Sequence, residues 1–168
     1  GLYSLKATIT SPGMFTLPIK RKISRLSTVY WTLWDGNDKE TRIFFSPLNQ
    51  LADGAPVAVT TQTDNMEWSI PVGTERYPQF DCSSHAESYS RLRNAQLIHQ
   101  GSDSFAISSH QYRTDKAIYA MNLEKCPGPA GHTGINTRSG SQLSLNFKNL
   151  GAATQIHVVM HFDCATSV

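Results

Sequence analysis

Near its C-terminus the chain alternates apolar and polar side chains with the two-residue period of a strand that buries one face. Leu143, Leu145 and Phe147 are separated by Ser144 and Asn146, so one face of the run is apolar. Asn149, Gly151 and Ala152 interrupt it, glycine because it takes backbone angles other residues avoid. Ile156, Val158, Met160 and Phe162 then alternate with His157, Val159 and His161. Two strands across a short connection predict a β-hairpin that closes the chain, preceded by a polar Gly/Ser-rich loop from His132.

The same period recurs upstream. Tyr3, Leu5, Ala7 and Ile9 predict a first strand, ended by the turn signal Ser11-Pro12-Gly13. Residues 14–19 form a second extended run, which Pro18 places at a sheet edge or bulge, since proline cannot donate to a ladder. The run Ser27-Thr-Val-Tyr-Trp-Thr-Leu-Trp34 is dense in β-branched and aromatic residues and is the strongest strand signal. Asp35-Gly36-Asn37-Asp38 reads as a hairpin turn with residues 41–45 returning as its partner. Residues 47–56 read as a loop and 57–63 as a strand. Met66, Trp68, Ile70 and Val72 alternate cleanly up to Gly73. Ser84 and Glu87 form a capping box that opens a helix over residues 84–100, with Tyr89, Leu92 and Ala95/Gln96 as its apolar stripe. That helix is expected to pack over the open end of a sheet. Residues 105–109 are expected to be extended, 117–123 a buried strand, and 126–131 a loop. With no βαβ alternation, the fold class is all-β: an antiparallel, eight- or nine-stranded jelly-roll sandwich with one inserted helix at about 84–100. A length of 168 residues suits a single domain over 1–168 with a real core.

Composition narrows the function classes. Charged residues are only 17% and the formal net charge is +2, so no strong global field draws nucleic acid. The densest local charge is Lys20, Arg21, Lys22 and Arg25. It reads either as a solvated strand edge protected from aggregation by charge or as a contact patch for nucleic acid or an acidic neighbour. Cys82, Cys126 and Cys164 are an odd number and no Asn-x-Ser/Thr site occurs, which favours folding in a reducing compartment, the host cell interior. No apolar run reaches the roughly 18 to 20 residues of a membrane-spanning helix, and no signal peptide is expected. A Gly start and a stop soon after a strand suggest a processed or trimmed piece of a longer chain.

The search for chemistry is mostly negative. There is no G-x-G-x-x-G, G-x-x-x-x-G-K-[ST] or G-x-S-x-G motif, no Cys-x-x-Cys pair, and no His-x-His with a following Glu of the cupin kind. His157 and His161 share a strand face but lie about 13 Å apart along it, too far for one metal ion. Cys82 precedes a helix start but has no base beside it in sequence, so a nucleophile reading is weak. Thr137, Arg138 and Ser139, in a Ser/Gly loop, read either as an anion-binding backbone nest or as a turn held by its own hydroxyls. No catalytic residue, metal ligand or cofactor is assigned.

The order of the segments resembles the C-terminal jelly-roll part of the double jelly-roll (hexon-like) major capsid proteins of polinton-like viruses and adintoviruses. The matching pieces are Ile23-Ser-Arg-Leu26-Ser-Thr-Val29-Tyr-Trp-Thr32, Ile70-Pro-Val-Gly73, Tyr77-Pro78, His85-Ala-Glu87-Ser-Tyr89-Ser-Arg-Leu92, Tyr119-Ala-Met-Asn-Leu123-Glu124-Lys125, His132-Thr-Gly134-Ile-Asn-Thr-Arg138-Ser-Gly140-Ser-Gln-Leu143 and Ile156-His-Val-Val-Met-His-Phe-Asp163. That family's subunit carries two jelly rolls, and this length holds one, so the chain is expected to be the C-terminal half of a longer subunit or a single jelly-roll relative. The resemblance implies a DNA-virus structural protein that self-associates as trimers, or pseudo-hexameric capsomers, of an icosahedral virion. It implies no catalysis. Further partners would be the first jelly-roll half, minor capsid or penton proteins and, weakly, the packaged genome. Segments 47–56, 77–82 and 126–141 are the expected contact loops, with Thr137, Arg138 and Ser139 as an assembly loop. The alternatives are a receptor- or carbohydrate-binding trimeric jelly-roll module and a cupin-like enzyme.

Overall fold

The computed structural model describes residues 1–10, 13–34, 66–100, 106–114, 116–124, 134–138, 140–150 and 155–163. They form β1 (Leu2–Thr8), β2 (Gly13–Ile19), β3 (Leu26–Trp34), β4 (Glu67–Val72), β5 (Glu75–Cys82), α1 (His85–Gln100), α2 (Ser109–Thr114), β6 (Tyr119–Asn122), β7 (Leu143–Leu150) and β8 (Gln155–Phe162). Two antiparallel four-stranded sheets result, ordered β1-β8-β3-β6 and β2-β7-β4-β5. Among the described residues, only β4 and β5 are both consecutive and neighbours, and every other step from one described strand to the next changes sheet. This nested alternation is the strand order of a jelly roll.

The order corrects the reading of the C-terminal strands. β7 lies between β2 and β4, while β8 lies between β1 and β3, so they face each other across the sandwich and make no hairpin. Alternation showed that each strand buries one face; it carries no information about which strand lies beside it. Leu143, Leu145 and Phe147 from one sheet meet Ile156, Val158 and Met160 from the other in a single core. Its centre is aromatic. Trp31 sits edge-on to Trp68 with ring centres 4.7 Å apart and stacks on Tyr119 at 5.7 Å, geometries that aromatic quadrupoles favour.

Pro18 lies on β2, an edge strand of the described sheets, in regular register opposite Ser144, where a missing N–H costs no ladder bond on the open side. Segment 77–82, expected as a loop, is the body of β5. Its register against β4 shifts between Trp68 and Ile70, so the strand bulges there and leaves Phe80 80% exposed. Segments 35–38, 41–45, 47–56, 57–63 and 126–131 lie outside the described residues.

The helix α1 follows Ser84, whose Oγ accepts the Glu87 backbone N–H at 3.5 Å. The Glu87 carboxylate turns to Arg91 one helical turn on, at 3.0 Å from Nε. Rather than covering an open end, α1 lies against β6, with Leu92 and Ala95 on Ala120 and the outward-facing Tyr30. The Tyr30 hydroxyl donates to the Ala95 carbonyl at 3.3 Å. Ser109, expected to be extended, begins the short α2 instead. Ser108 and Gln111 cap it reciprocally: the Gln111 N–H donates to Ser108 Oγ at 3.2 Å and the Ser108 N–H to Gln111 Oε1 at 3.1 Å.

Candidate interaction surface

The crossing from β2 to β3 carries the basic run. Lys20, Arg21, Lys22 and Arg25 are all exposed, while Ile23 between them is buried and ties the segment to the core. Residues 134–138 run alongside this crossing. Leu26 and Ile135 exchange both backbone hydrogen bonds at 2.9 Å. Thr137 donates its backbone N–H to the Ile23 carbonyl at 2.8 Å, and its Oγ1 accepts the Ile23 N–H at 2.8 Å and donates to the Ile23 carbonyl at 3.2 Å.

This zipper brings the two segments singled out from the sequence into one surface. Arg138 is exposed and joins the basic run. The Asn136 side chain accepts the Arg138 N–H at 2.8 Å, fixing the turn. Thr137 is 4% exposed and its side chain faces inward, so it frames the surface without being part of it. Ser139 lies outside the described residues. We expect Thr137→Val, which keeps the shape but leaves the Ile23 N–H without its acceptor, to cost about 1–3 kcal/mol in urea unfolding.

Arg21 reaches across to the other sheet, its guanidinium 4.8 Å from the Tyr3 ring centre and 5.9 Å from that of Phe162. The Asp163 backbone N–H donates to the Arg25 carbonyl at 3.1 Å, which fixes the end of β8 to the same crossing. None of Lys20, Arg21, Lys22, Arg25 and Arg138 forms an ion pair with a carboxylate among the described residues. Three other described cations, Arg76, Arg91 and Lys148, are paired with carboxylates. Asp81 binds both Arg76 and, at 2.7 Å, Lys148, which also lies 3.5 Å from Glu67. Carboxylates near this end among the described residues include Asp163, Glu124, which follows Leu123 bonded to the Ser27 carbonyl, and Glu75, which is bonded to the Tyr77 hydroxyl and lines a cleft of about 330 Å³ with Asn136 and Ser141. Five cations against these three carboxylates make this end of the sandwich locally basic among the described residues.

His157 and His161 lie on the outer face of the other sheet, partly buried. His161 Nδ1 is 3.1 Å from Ser27 Oγ. His157 lines a groove of about 360 Å³ with Tyr30, Trp34 and Val159, and Lys6 lies over the Trp34 ring at 5.1 Å. Burial, then the Lys6 charge, lowers the His157 pKa. The folded state therefore resists protonating it. Its stabilising contribution is full above the unfolded pKa of about 6.5 and declines as pH falls below that. Melting temperature should fall less steeply below pH 6.5 in His157→Gln than in the parent chain. Among the described residues no three metal-binding side chains converge. Cys82 is buried with a free thiol beside Ser88 Oγ at 3.3 Å, and burial pushes its pKa up, away from thiolate chemistry.

No family model and no curated protein matches the sequence. Among solved structures, the chain is similar to VP54 of PBCV-1, whose crystal structure was fitted into a cryo-EM reconstruction of the virophage Sputnik. The match has a TM-score of 0.54 at 11% identity and covers 95% of this chain and 46% of VP54, so the chain spans about half the length of that protein. At that identity the likeness is one of fold.

Proposed function

We propose that this chain is a structural component of a viral capsid, a shell protein whose work is assembly. The observation that carries this reading is the jelly-roll strand order of the described residues, in a chain whose fold matches VP54, a double jelly-roll major capsid protein, over 95% of its length. The 46% share of VP54 suits one jelly roll of a two-roll subunit. In this reading the chain is the C-terminal roll, related to the double jelly-roll capsid proteins of polinton-like viruses and adintoviruses. It folds in the reducing host cell interior, which suits a free, buried Cys82, and it ends in the virion of a DNA virus.

Sheet edges are where such subunits meet, because unpaired edges must be covered or blunted. Leu2, Met14 and Phe80, the exposed large apolar side chains of the described residues, all sit on edge strands, β1, β2 and β5. They support self-association into trimers and pseudo-hexameric capsomers of an icosahedral shell, with a first jelly-roll half and minor capsid or penton proteins as further partners. No catalytic residue or cofactor enters this reading.

Light scattering of the purified chain at neutral pH, alongside a glycan array, tests the proposal. Assemblies well above monomer mass with no glycan bound are expected. A monomer that binds a defined glycan would favour a carbohydrate-binding module instead.

A further inference from the structure

We infer that the basic end of the sandwich is a binding surface for the phosphate backbone of nucleic acid. Lys20, Arg21, Lys22, Arg25 and Arg138 come from two segments zippered by the Leu26–Ile135 and Ile23–Thr137 hydrogen bonds. All five are exposed, and none is neutralised by an ion pair among the described residues. Lys6, Arg93 and Lys116 also form no ion pair among the described residues, but they lie singly on β1, on α1 and between α2 and β6, whereas these five are gathered on one zippered pair of segments. Cations gathered on a rigid frame without a carboxylate partner are arranged for an external anion.

The dimensions suit a repeating anion. Residues 20–25 bend at 24–25 and reach at most about 18 Å, so they span no more than about five phosphates at roughly 3.4 Å per nucleotide of one strand. Three of the five cations are arginines, whose planar guanidinium grips phosphate oxygens in pairs. Tyr3 and Phe162 already carry Arg21 over their rings, so base stacking is not on offer. Recognition is therefore independent of sequence, through the backbone alone. A lipid surface fits less well, because interfacial binding needs an apolar face and Leu2 is the one large exposed apolar side chain on the neighbouring strand end among the described residues.

The test is fluorescence anisotropy of a labelled 20-base-pair duplex of arbitrary sequence at 50 to 200 mM KCl. The plot of log affinity against log salt should have a slope of about −3.6 to −4.5, the value for four to five phosphate contacts. Replacing Lys22→Gln, Arg25→Gln and Arg138→Gln together should weaken binding at least about tenfold and reduce the slope by about one per cation removed. A second triple variant, Lys6→Gln, Arg93→Gln and Lys116→Gln, removes the same charge elsewhere on the surface and should keep the parent slope. The inference is overturned if the parent chain does not bind at 50 mM, if the two variants behave alike, or if phosphatidylserine vesicles are bound and the duplex is not. Any of these outcomes leaves the shell reading untouched, since assembly is measured without nucleic acid.

Discussion

Val158→Asp should not fold. Val158 is completely buried in the middle of β8, opposite Leu5 of β1 on one side and Trp31 of β3 on the other. Removing the valine forfeits roughly 1.5–3 kcal/mol of apolar burial, and an unpaired carboxylate in that position costs several more. The sum rivals the ~5–15 kcal/mol that holds a typical domain together. We expect loss of the native circular dichroism signal and of cooperative urea unfolding, whereas Val158→Ala should fold and unfold cooperatively at lower urea. A soluble Asp variant with a native-like spectrum would show that this face of β8 does not point into the core.

Gly134→Ala should be the most damaging small change at the basic end. A Cβ at this position would stand 2.6 Å from the Leu26 carbonyl oxygen and 2.9 Å from the Arg25 carbonyl carbon. Both are backbone atoms, so relief requires the two segments to separate. Overpacking together with the weakened Leu26–Ile135 pair should cost about 2–3 kcal/mol. Urea denaturation checks the magnitude. Hydrogen exchange at the Leu26 and Ile135 amides should rise more than at the β8 amides, because the damage is confined to the zipper. Equal stability and unchanged exchange would contradict the close approach.

Strand existence was legible because burial on one face imposes a period of two. The rows Tyr3–Leu5–Ala7, Met66–Trp68–Ile70–Val72 and Ile156–Val158–Met160 all face the core. Strand partnership was not legible, and β7 with β8 shows why: a short connection spans the gap between sheets as easily as it reverses within one. The short helix α2 was signalled by Ser108 and Gln111, a Ser-x-x-Gln capping pair that went unread beside the longer helix. At the candidate surface, Lys20–Arg25 and Arg138 were visible separately. Their adjacency rests on pairing between Ile23 and Thr137, 114 residues apart, which no local pattern encodes. The inward turn of Thr137 and the exposure of Phe80 on a bulge are likewise consequences of register, which depends on strands distant in sequence.

Electron microscopy of the native material from which the chain is isolated tests the capsid reading most directly. We expect closed shells whose capsomer density accepts this jelly roll, with the β1, β2 and β5 edges against neighbouring subunits. Recovery of the chain only as dispersed monomers, with no shell whose density fits the two sheets, would contradict it.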